Sequence, residues 1–334
     1  MTDVVSLAAE LLAIPSSTGT EGAVVDFVSR WLVARGWNMS LQEVTRGRAN
    51  IWATRGGGGG GGVTFSTHLD TVPPHIPPRL DGERLYGRGS SDAKGIAAAM
   101  LVAADKLVKS GEKRIDLLFV VGEEKGSDGA RAANNLAATS RFLINGEPTE
   151  SKLASGAKGS LRVIVRTTGK EAHSAYPQLG SSAIEPLLQL LPQIHALEFP
   201  SDPVLGETTV NIGLIQGGTA ANIIPAHAEA ELMFRLVGDV EPIRAMVRKW
   251  ARAKARVEFG SHIPAQKFRT LDGFEVAPVA YTSDIPLLSK WGEPLLFGPG
   301  SIHVAHTPDE YIETNALRKS VATYEKLART LLAE

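Results

Sequence analysis

The chain has 334 residues, no cysteine, 43% hydrophobic and 21% charged residues, and a formal net charge of −1. That length suggests two domains or one domain carrying an insertion, and the composition is ordinary for a well-packed protein. The balanced charge gives no electrostatic case for nucleic acid or an anionic membrane, and without cysteine any metal must take nitrogen and oxygen ligands.

Apolar residues recur at helical spacing over residues 3–13 (Val4, Leu7, Ala8, Leu11, Leu12) and stop before Pro15, which predicts a helix ended by the proline. Asp3 and Glu10 fall inside that pattern, so a signal peptide is not expected there. No apolar run approaches the length of a membrane span, and the cytoplasm is the expected compartment. Ser16-Ser17-Thr18-Gly19 reads as a turn, and Glu21 to Ala34 as a second helix that Gly36 can cap. Strands are predicted near 38–44 and 50–54. Gly56 to Gly62, seven consecutive glycines, reads as a surface hairpin tip. A phosphate-binding loop would need a lysine or a helix start directly after it.

Val63 to Thr67 is an apolar strand that runs out into His68-Leu69-Asp70. Strand side chains repeat every second residue, so His68 and Asp70 leave on the same side, as a metal-binding imidazole and its supporting carboxylate do. A proline-rich loop follows (73–78). Gly87-Arg88-Gly89-Ser90-Ser91-Asp92-Ala93-Lys94-Gly95 then leads into a small-residue helix, Ile96 to Val108. Asp92 stands at its start, where a carboxylate can cap free N–H groups. Ile115 to Val121 is a continuous apolar strand ending in Gly122-Glu123-Glu124, and Arg141 to Asn145 is another ending in Gly146-Glu147. In open α/β sheets ligands bind beyond the carboxyl ends of strands. The acids and His68 gather at such ends, whereas solvated acids would scatter along helix faces.

From about residue 156 the texture changes. A half-exposed strand (159–168), helices at 180–197 and 240–254, and strands near 207–215, 226–236 and 255–259 follow the split βαβ order of a small α+β sandwich. Residues 156–262 therefore read as an insertion between catalytic parts 1–155 and 263–334. The fold class expected is α/β, a mixed sheet flanked by helices, with an inserted α+β, ferredoxin-like lid. After it, Tyr281-Thr282-Ser283-Asp284 reads as a helix start, Pro294 to Phe297 as a strand, His303 and His306 as loop residues, and 314–332 as a closing helix.

His68, Asp92, Glu124, Glu147 and His306 make a ligand set of imidazoles and carboxylates that suits two zinc-like ions if Asp92 bridges them. Water between such ions has a lowered pKa. Glu123, pointing away from its neighbour Glu124, is free to act as general base and to return the proton to a leaving amine.

These motifs, together with Gly217-Gly218-Thr219-Ala220-Ala221-Asn222-Ile223-Ile224-Pro225, Gly298-Pro299-Gly300 and His306-Thr307-Pro308-Asp309-Glu310-Tyr311, resemble the dinuclear zinc amidohydrolases and exopeptidases. That family includes acetylornithine deacetylase, succinyl-diaminopimelate desuccinylase and the glutamate-releasing carboxypeptidase. The resemblance implies His68, Asp92 and Glu147 on one ion and Glu124, Asp92 and His306 on the other. Asp70 would back His68, Glu123 would be the base, and His303 a bystander. It also implies that His173 hydrogen-bonds the oxyanion, commonly in a partner subunit's site, that Asn222 lies near that oxyanion, and that Arg235 binds a substrate α-carboxylate. The expected cofactors are two divalent ions, zinc first and cobalt as the substitute. The expected partners are a small N-acyl amino acid or dipeptide and a second copy through the lid, with no nucleic acid and no membrane.

Ser91-Asp92-Ala93-Lys94 also fits the S-x-x-K acyl-enzyme motif, but its companion motifs are absent, as are G-x-S-x-G and H-E-x-x-H. A non-catalytic metal-binding protein on this fold would have lost a ligand or the base, and all are present. The expectation is therefore metal-dependent amide hydrolysis, with an acetylornithine-deacetylase-like activity first and a desuccinylase, dipeptidase or carboxypeptidase as the alternatives.

Overall fold

The computed structural model of the chain describes residues 2–55, 62–136 and 138–334. Two units emerge: Met1–Ser155 with Phe268–Ala277 and Ser283–Glu334, and Gly156–Lys267 with Pro278–Thr282. The second unit thus returns five residues later than 262, because Gln266 and Lys267 pair back onto Ala157 and Gly156. A further short piece joins it where Lys158 donates to the Val279 carbonyl.

In the first unit, α1 (Val4–Leu12) begins where Asp3 accepts the Ser6 N–H at 3.1 Å, and it buries Val4, Leu7, Ala8, Leu11 and Leu12. Helix α2 (Gly22–Val33) buries Val24, Val25, Val28 and Leu32. Helix α3 (Lys94–Lys109) is buried almost all round, the mark of a helix enclosed by other elements rather than facing water. Its Ala97-Ala98-Ala99 run lets α1 and the C-terminal helix Thr314–Leu332 pack close to it.

The mixed sheet of this unit contains β1 (Asn38–Thr45), β2 (Arg48–Thr54), β3 (Val63–His68), β4 (Ile115–Val120), β5 (Phe142–Asn145) and the strand Glu293–Leu296, in the order β1-β2-β4-β3-β5 and then Glu293–Leu296. The two strands that flank the glycine run are therefore not hairpin partners. Strand β4 lies between β2 and β3, antiparallel to the first and parallel to the second. Residues 56–61 themselves lie outside the described residues.

Strands β3, β4 and β5 are mutually parallel, with His68 opposite Val120 and Ser66 opposite Asn145. Their carboxyl ends consequently share one edge of the unit, and this alone brings residues 68–70, 122–124 and 146–147 together. All six residues of β3 are buried, as a strand covered on both faces requires. The helix expected to start at Tyr281 is instead a single 3-10 turn, Ile285–Leu287, with Pro286 inside it and Asp284 just before it.

The second unit is a four-stranded antiparallel sheet of β6 (Gly159–Thr168), β7 (Thr209–Gly217), β8 (His227–Leu236) and β9 (Arg256–Ile263), in the order β7-β8-β6-β9. Leu161, Val163 and Val165 alternate onto a face packed with Leu187 and Leu190 of α4 (Ile184–Leu190) and with Ile243 and Val247 of α5 (Val240–Ala251). Helix α4 is shorter than the 180–197 expected, since the chain passes at Leu191 into a 3-10 turn carrying Pro192. On the opposite face Arg162 pairs with Glu231, and Arg166 with Glu229 and Glu258, the polar side of a half-covered sheet. Among the described residues no helix is long and apolar enough to cross a membrane.

Candidate metal centre

His68 ends β3 fully buried, and its Nδ1 lies 2.9 Å from the Asp70 carbonyl. A carbonyl only accepts, so Nδ1 carries the proton and the Nε2 lone pair is aimed elsewhere. It is aimed at Asp92 Oδ1, 3.0 Å away. The other oxygen of the same carboxylate, Asp92 Oδ2, lies 3.3 Å from His306 Nε2. His306 Nε2 is in turn 3.0 Å from Glu124 Oε2. Ligand atoms of His68, Asp92 and Glu124 all lie within 4.8 Å of one another.

Asp92 therefore stands between two imidazoles, with one oxygen toward each. It does not cap α3: the residue at that position is Ala93, and no side chain hydrogen-bonds there.

Asp70, behind His68, is fully buried and does three further jobs. Its Oδ1 accepts the Glu123 N–H at 3.0 Å, and its Oδ2 accepts the Glu124 N–H at 3.1 Å and the Thr18 hydroxyl at 2.7 Å. One residue thus fixes the histidine through its carbonyl and, through its carboxylate, the acidic turn that follows β4. That turn starts at Gly122, whose φ is +79° and where a Cβ would sit 1.9 Å from Asp128 Oδ1. Only glycine fits both the conformation and the space. Within the turn the side chains diverge. Glu124 reaches His306, and the Glu123 carboxyl hydrogen-bonds to no described residue.

Glu147 leaves the end of β5 and is buried. It makes no hydrogen bond to either imidazole, although its charge is felt by His68. His306 has φ +63°, a strained conformation for a non-glycine residue that is held by its surroundings. His303 is exposed and takes no part in the cluster.

Charge in this cluster is lopsided. Burial, then Asp284, then the other acids push the Glu123 carboxyl well above its usual value. Burial does the same to Glu147, with Asp92, Glu123 and Asp284 adding to it. Burial opposes a proton on His68, yet its bonds to Asp70 and Asp92 outweigh this and hold its pKa well above 6.5. Bonds to Asp92 and Glu124 raise His306 to about 10. Burial likewise fails to raise Asp92, which His306 and His68 hold below the ordinary carboxylate range. In chemical terms, buried anions here call for cations, and protons on the imidazoles are what the side chains alone can supply.

Metal ions fit the donor set. Two ligand atoms bound tetrahedrally at zinc distances stand about 3.3 Å apart, and the Asp92 contacts to His68 and His306 are 3.0 and 3.3 Å. Nε2 of His68 is free for an ion because Nδ1 is engaged, which is the usual support of a metal-binding imidazole.

In the second unit, His173 lies in the two-residue strand Ala172–His173, which pairs with Ile223–Ile224. Its Nδ1 accepts the Ala175 N–H at 3.1 Å, and Asn222 is beside it, its carbonyl accepting the Ser174 N–H. Arg235, half-buried on β8, forms no ion pair with any described residue, and burial pulls its pKa down. It lies opposite Ser160, whereas the end of the sheet nearer His173 pairs His227 with Thr168. Along the strands those two ends are roughly 26 Å apart.

Three residues of the centre were not assigned a role from sequence. Thr18 sits in what reads as a plain turn. Asp284, buried with Oδ1 unpartnered among the described residues and raised by burial to about 6, reads locally as a helix start. Glu310 lies inside the C-terminal motif with nothing to mark what it binds.

A family model described as Peptidase family M20/M25/M40 matches residues 64–330. A "Peptidase M20 domain-containing protein" of Schizosaccharomyces pombe is 38% identical over 97% of this chain and 84% of its own length. A protein of Aspergillus clavatus named "Probable carboxypeptidase" is 37% identical over 97% of this chain and 81% of its own length. Among solved structures, a tripeptidase of Staphylococcus aureus superposes with a TM-score of 0.83 at 21% identity, covering 99% of this chain and 98% of that one.

With His306 raised to about 10 and His68 also raised, the His306 imidazole of the metal-free protein carries a proton at pH 7 and the His68 ring is shifted toward its protonated form, so an incoming ion must displace protons. Titration of zinc into metal-free protein, run in buffers of different ionisation enthalpy, will show net proton release at pH 7. Affinity will rise with pH up to about 10. Binding with no proton release would contradict the charge assignment.

Proposed function

This chain belongs to Peptidase family M20/M25/M40 and is a hydrolase, and we propose that it is a two-metal exopeptidase that removes the C-terminal residue of a small peptide. The observation that carries the proposal is the Asp92 carboxylate set between His68 and His306 in a chain whose 37% identical relative bears a carboxypeptidase name. His68, Asp92 and Glu147 hold one ion, and Glu124, Asp92 and His306 the other, with zinc as the metal and cobalt as a working substitute. When bound, the ions supply Lewis acidity toward the attacking water and the substrate carbonyl.

Glu123, left free beside Glu124, takes the proton of the attacking water and delivers it to the departing amine. Its raised pKa suits a group that must both accept and release a proton. Asp70 keeps the His68 ring in place and fixes the Glu123 backbone. His173, with Asn222 next to it, donates to the oxygen that becomes negative at the scissile carbonyl. Arg235, a planar fork with no ion-pair partner among the described residues, receives the substrate α-carboxylate.

One residue of a peptide spans only about 3.5 Å, whereas Arg235 lies roughly 26 Å along β8 from His227, and it is beyond the His227–Thr168 end that the chain reaches Ala172–His173 and its partner Ile223–Ile224. The proposal therefore includes a homodimer in which the two groups at one active site come from different copies. N-acyl amino acids share the amide and the free carboxylate, so deacetylation and desuccinylation remain the second substrate class. The N-acetylornithine-type substrate expected from sequence has no namesake among the relatives described above, and the weight moves to peptides.

A panel of dipeptides, C-terminally amidated dipeptides, N-acetyl and N-succinyl amino acids, assayed with added zinc or cobalt, will show cleavage of free-carboxylate peptides and loss of activity on amidation. Full activity in a chelated, metal-free sample would overturn the mechanism. Glu123→Gln will keep its metal content while kcat falls by about 10²–10⁴-fold. Finally, inactive His173→Ala and Glu123→Ala proteins, mixed and allowed to exchange subunits, will regain roughly a quarter of the parental activity, since half the dimers contain one complete site. No recovery, with exchange verified, would place His173 outside the partner's site.

A further inference from the structure

We propose that Glu310, through its buried ion pair with Arg88, is a positioning residue that holds Asp92 and His306 in a common frame and so sets the affinity of the ion those two share with Glu124. This rests on the two-metal reading above and adds a residue that touches neither ion nor substrate.

The geometry is specific. Glu310 Oε1 accepts three backbone N–H groups of the loop entering α3: Gly89 at 3.0 Å, Ser91 at 3.1 Å and Asp92 itself at 3.1 Å. Glu310 Oε2 accepts from Arg88 at 2.6 Å, and both side chains are essentially without solvent exposure. The Glu310 carbonyl accepts the Gly87 N–H at 3.0 Å, and Ser91 Oγ donates to the Tyr311 carbonyl at 2.8 Å. The loop that carries Asp92 is thus wrapped around one carboxylate.

The same ion pair grips the other ligand. Arg88 also donates to the Thr307 carbonyl at 3.2 Å, the residue directly after His306. His306 is itself held in the left-handed conformation, which requires fixed neighbours. Arg88 and Glu310 therefore lock residues 87–92 against residues 307–311, and Asp92 and His306 extend from the two sides of that lock with 3.3 Å between them.

The other proposed ion has an anchorage of its own. His68 is fixed by the Asp70 carbonyl, and Asp70 by Thr18 and the 123–124 amides. Loss of the Glu310 charge should therefore act unequally, loosening two of three ligands on one ion and only the shared Asp92 on the other. Partners of this kind, one step removed from the metal, change metal affinity by 10–100-fold when altered.

The test is a calorimetric titration of zinc into metal-free parent, His306→Ala, Glu310→Gln and Arg88→Lys proteins, with thermal melting of each before titration. The parent must show two binding steps, and the step lost in His306→Ala identifies the ion in question. Should the parent bind fewer than two ions, the two-metal reading itself fails, and that is visible before any Glu310 variant is read. Glu310→Gln keeps a carbonyl oxygen for the loop amides but removes the charge facing Arg88. The expected result is a 10–100-fold weaker His306-dependent step, with the other step within about threefold of the parent. A folded Glu310→Gln protein with both steps at parental affinity, even if it melts at lower temperature, overturns the proposal. If Glu310→Gln lacks a cooperative melt, Arg88→Lys decides between the same two results, since it keeps the charge and loses the double grip on Glu310 and Thr307.

Discussion

The Nε2 atoms of two imidazoles face the two oxygens of one carboxylate. Everything else in the first unit serves that contact between His68, Asp92 and His306. With Nδ1 of His68 committed to a carbonyl, an unprotonated ring would leave lone pairs opposed to an anion. Something positive has to sit between them, a proton at each ring in the bare protein or a metal ion in the working one. The acids around it, Glu123, Glu147 and Asp284, are raised by burial and by one another. A cation bound beside them would favour their ionised forms, which couples metal binding to loss of their protons.

The fold pays for this arrangement with its hydrophobic contacts elsewhere. Parallel pairing of β3 with β4 and β5 sets three carboxyl ends side by side, so chemistry accumulates there without long loops. The buried helix α3 brings its entry loop to the same place, and the loop's free amides are satisfied by the Glu310 carboxylate rather than by Asp92. Asp70 links His68 to the Glu123-Glu124 turn in the same economical way: its carbonyl holds the His68 ring and its carboxylate holds the backbone of Glu123 and Glu124. The second unit has its own core and its own sheet, with Arg235 in that sheet opposite Ser160 and His173 in a separate two-stranded pairing with Ile223.

Much of the centre was legible before the structure because its residues terminate apolar runs. His68, Glu123, Glu124 and Glu147 each follow a strand that announces itself by continuous hydrophobicity, and acids at such ends are hard to explain as solvated surface. The split βαβ order was legible for the same reason, through alternation in 159–168 and 226–236. Long-range order was not. The glycine run looks like a hairpin tip because β2 and β3 are neighbours in sequence, but β4 takes the place between them from some way down the chain. Asp92 looks like a cap because the partners that fix it are remote, His306 against its carboxylate and Glu310, 218 residues away, on its backbone N–H. Asp284 and Thr18 resemble an ordinary helix start and an ordinary turn, and only tertiary contacts reveal that they border the acids.

The most direct measurement is anomalous diffraction at the zinc absorption edge from crystals of the protein grown with zinc. It should show two peaks about 3.5–4 Å apart, one touching His68, Asp92 and Glu147 and the other touching Glu124, Asp92 and His306. A map with no peak against Asp92, or with zinc bound only at other side chains, would contradict the account.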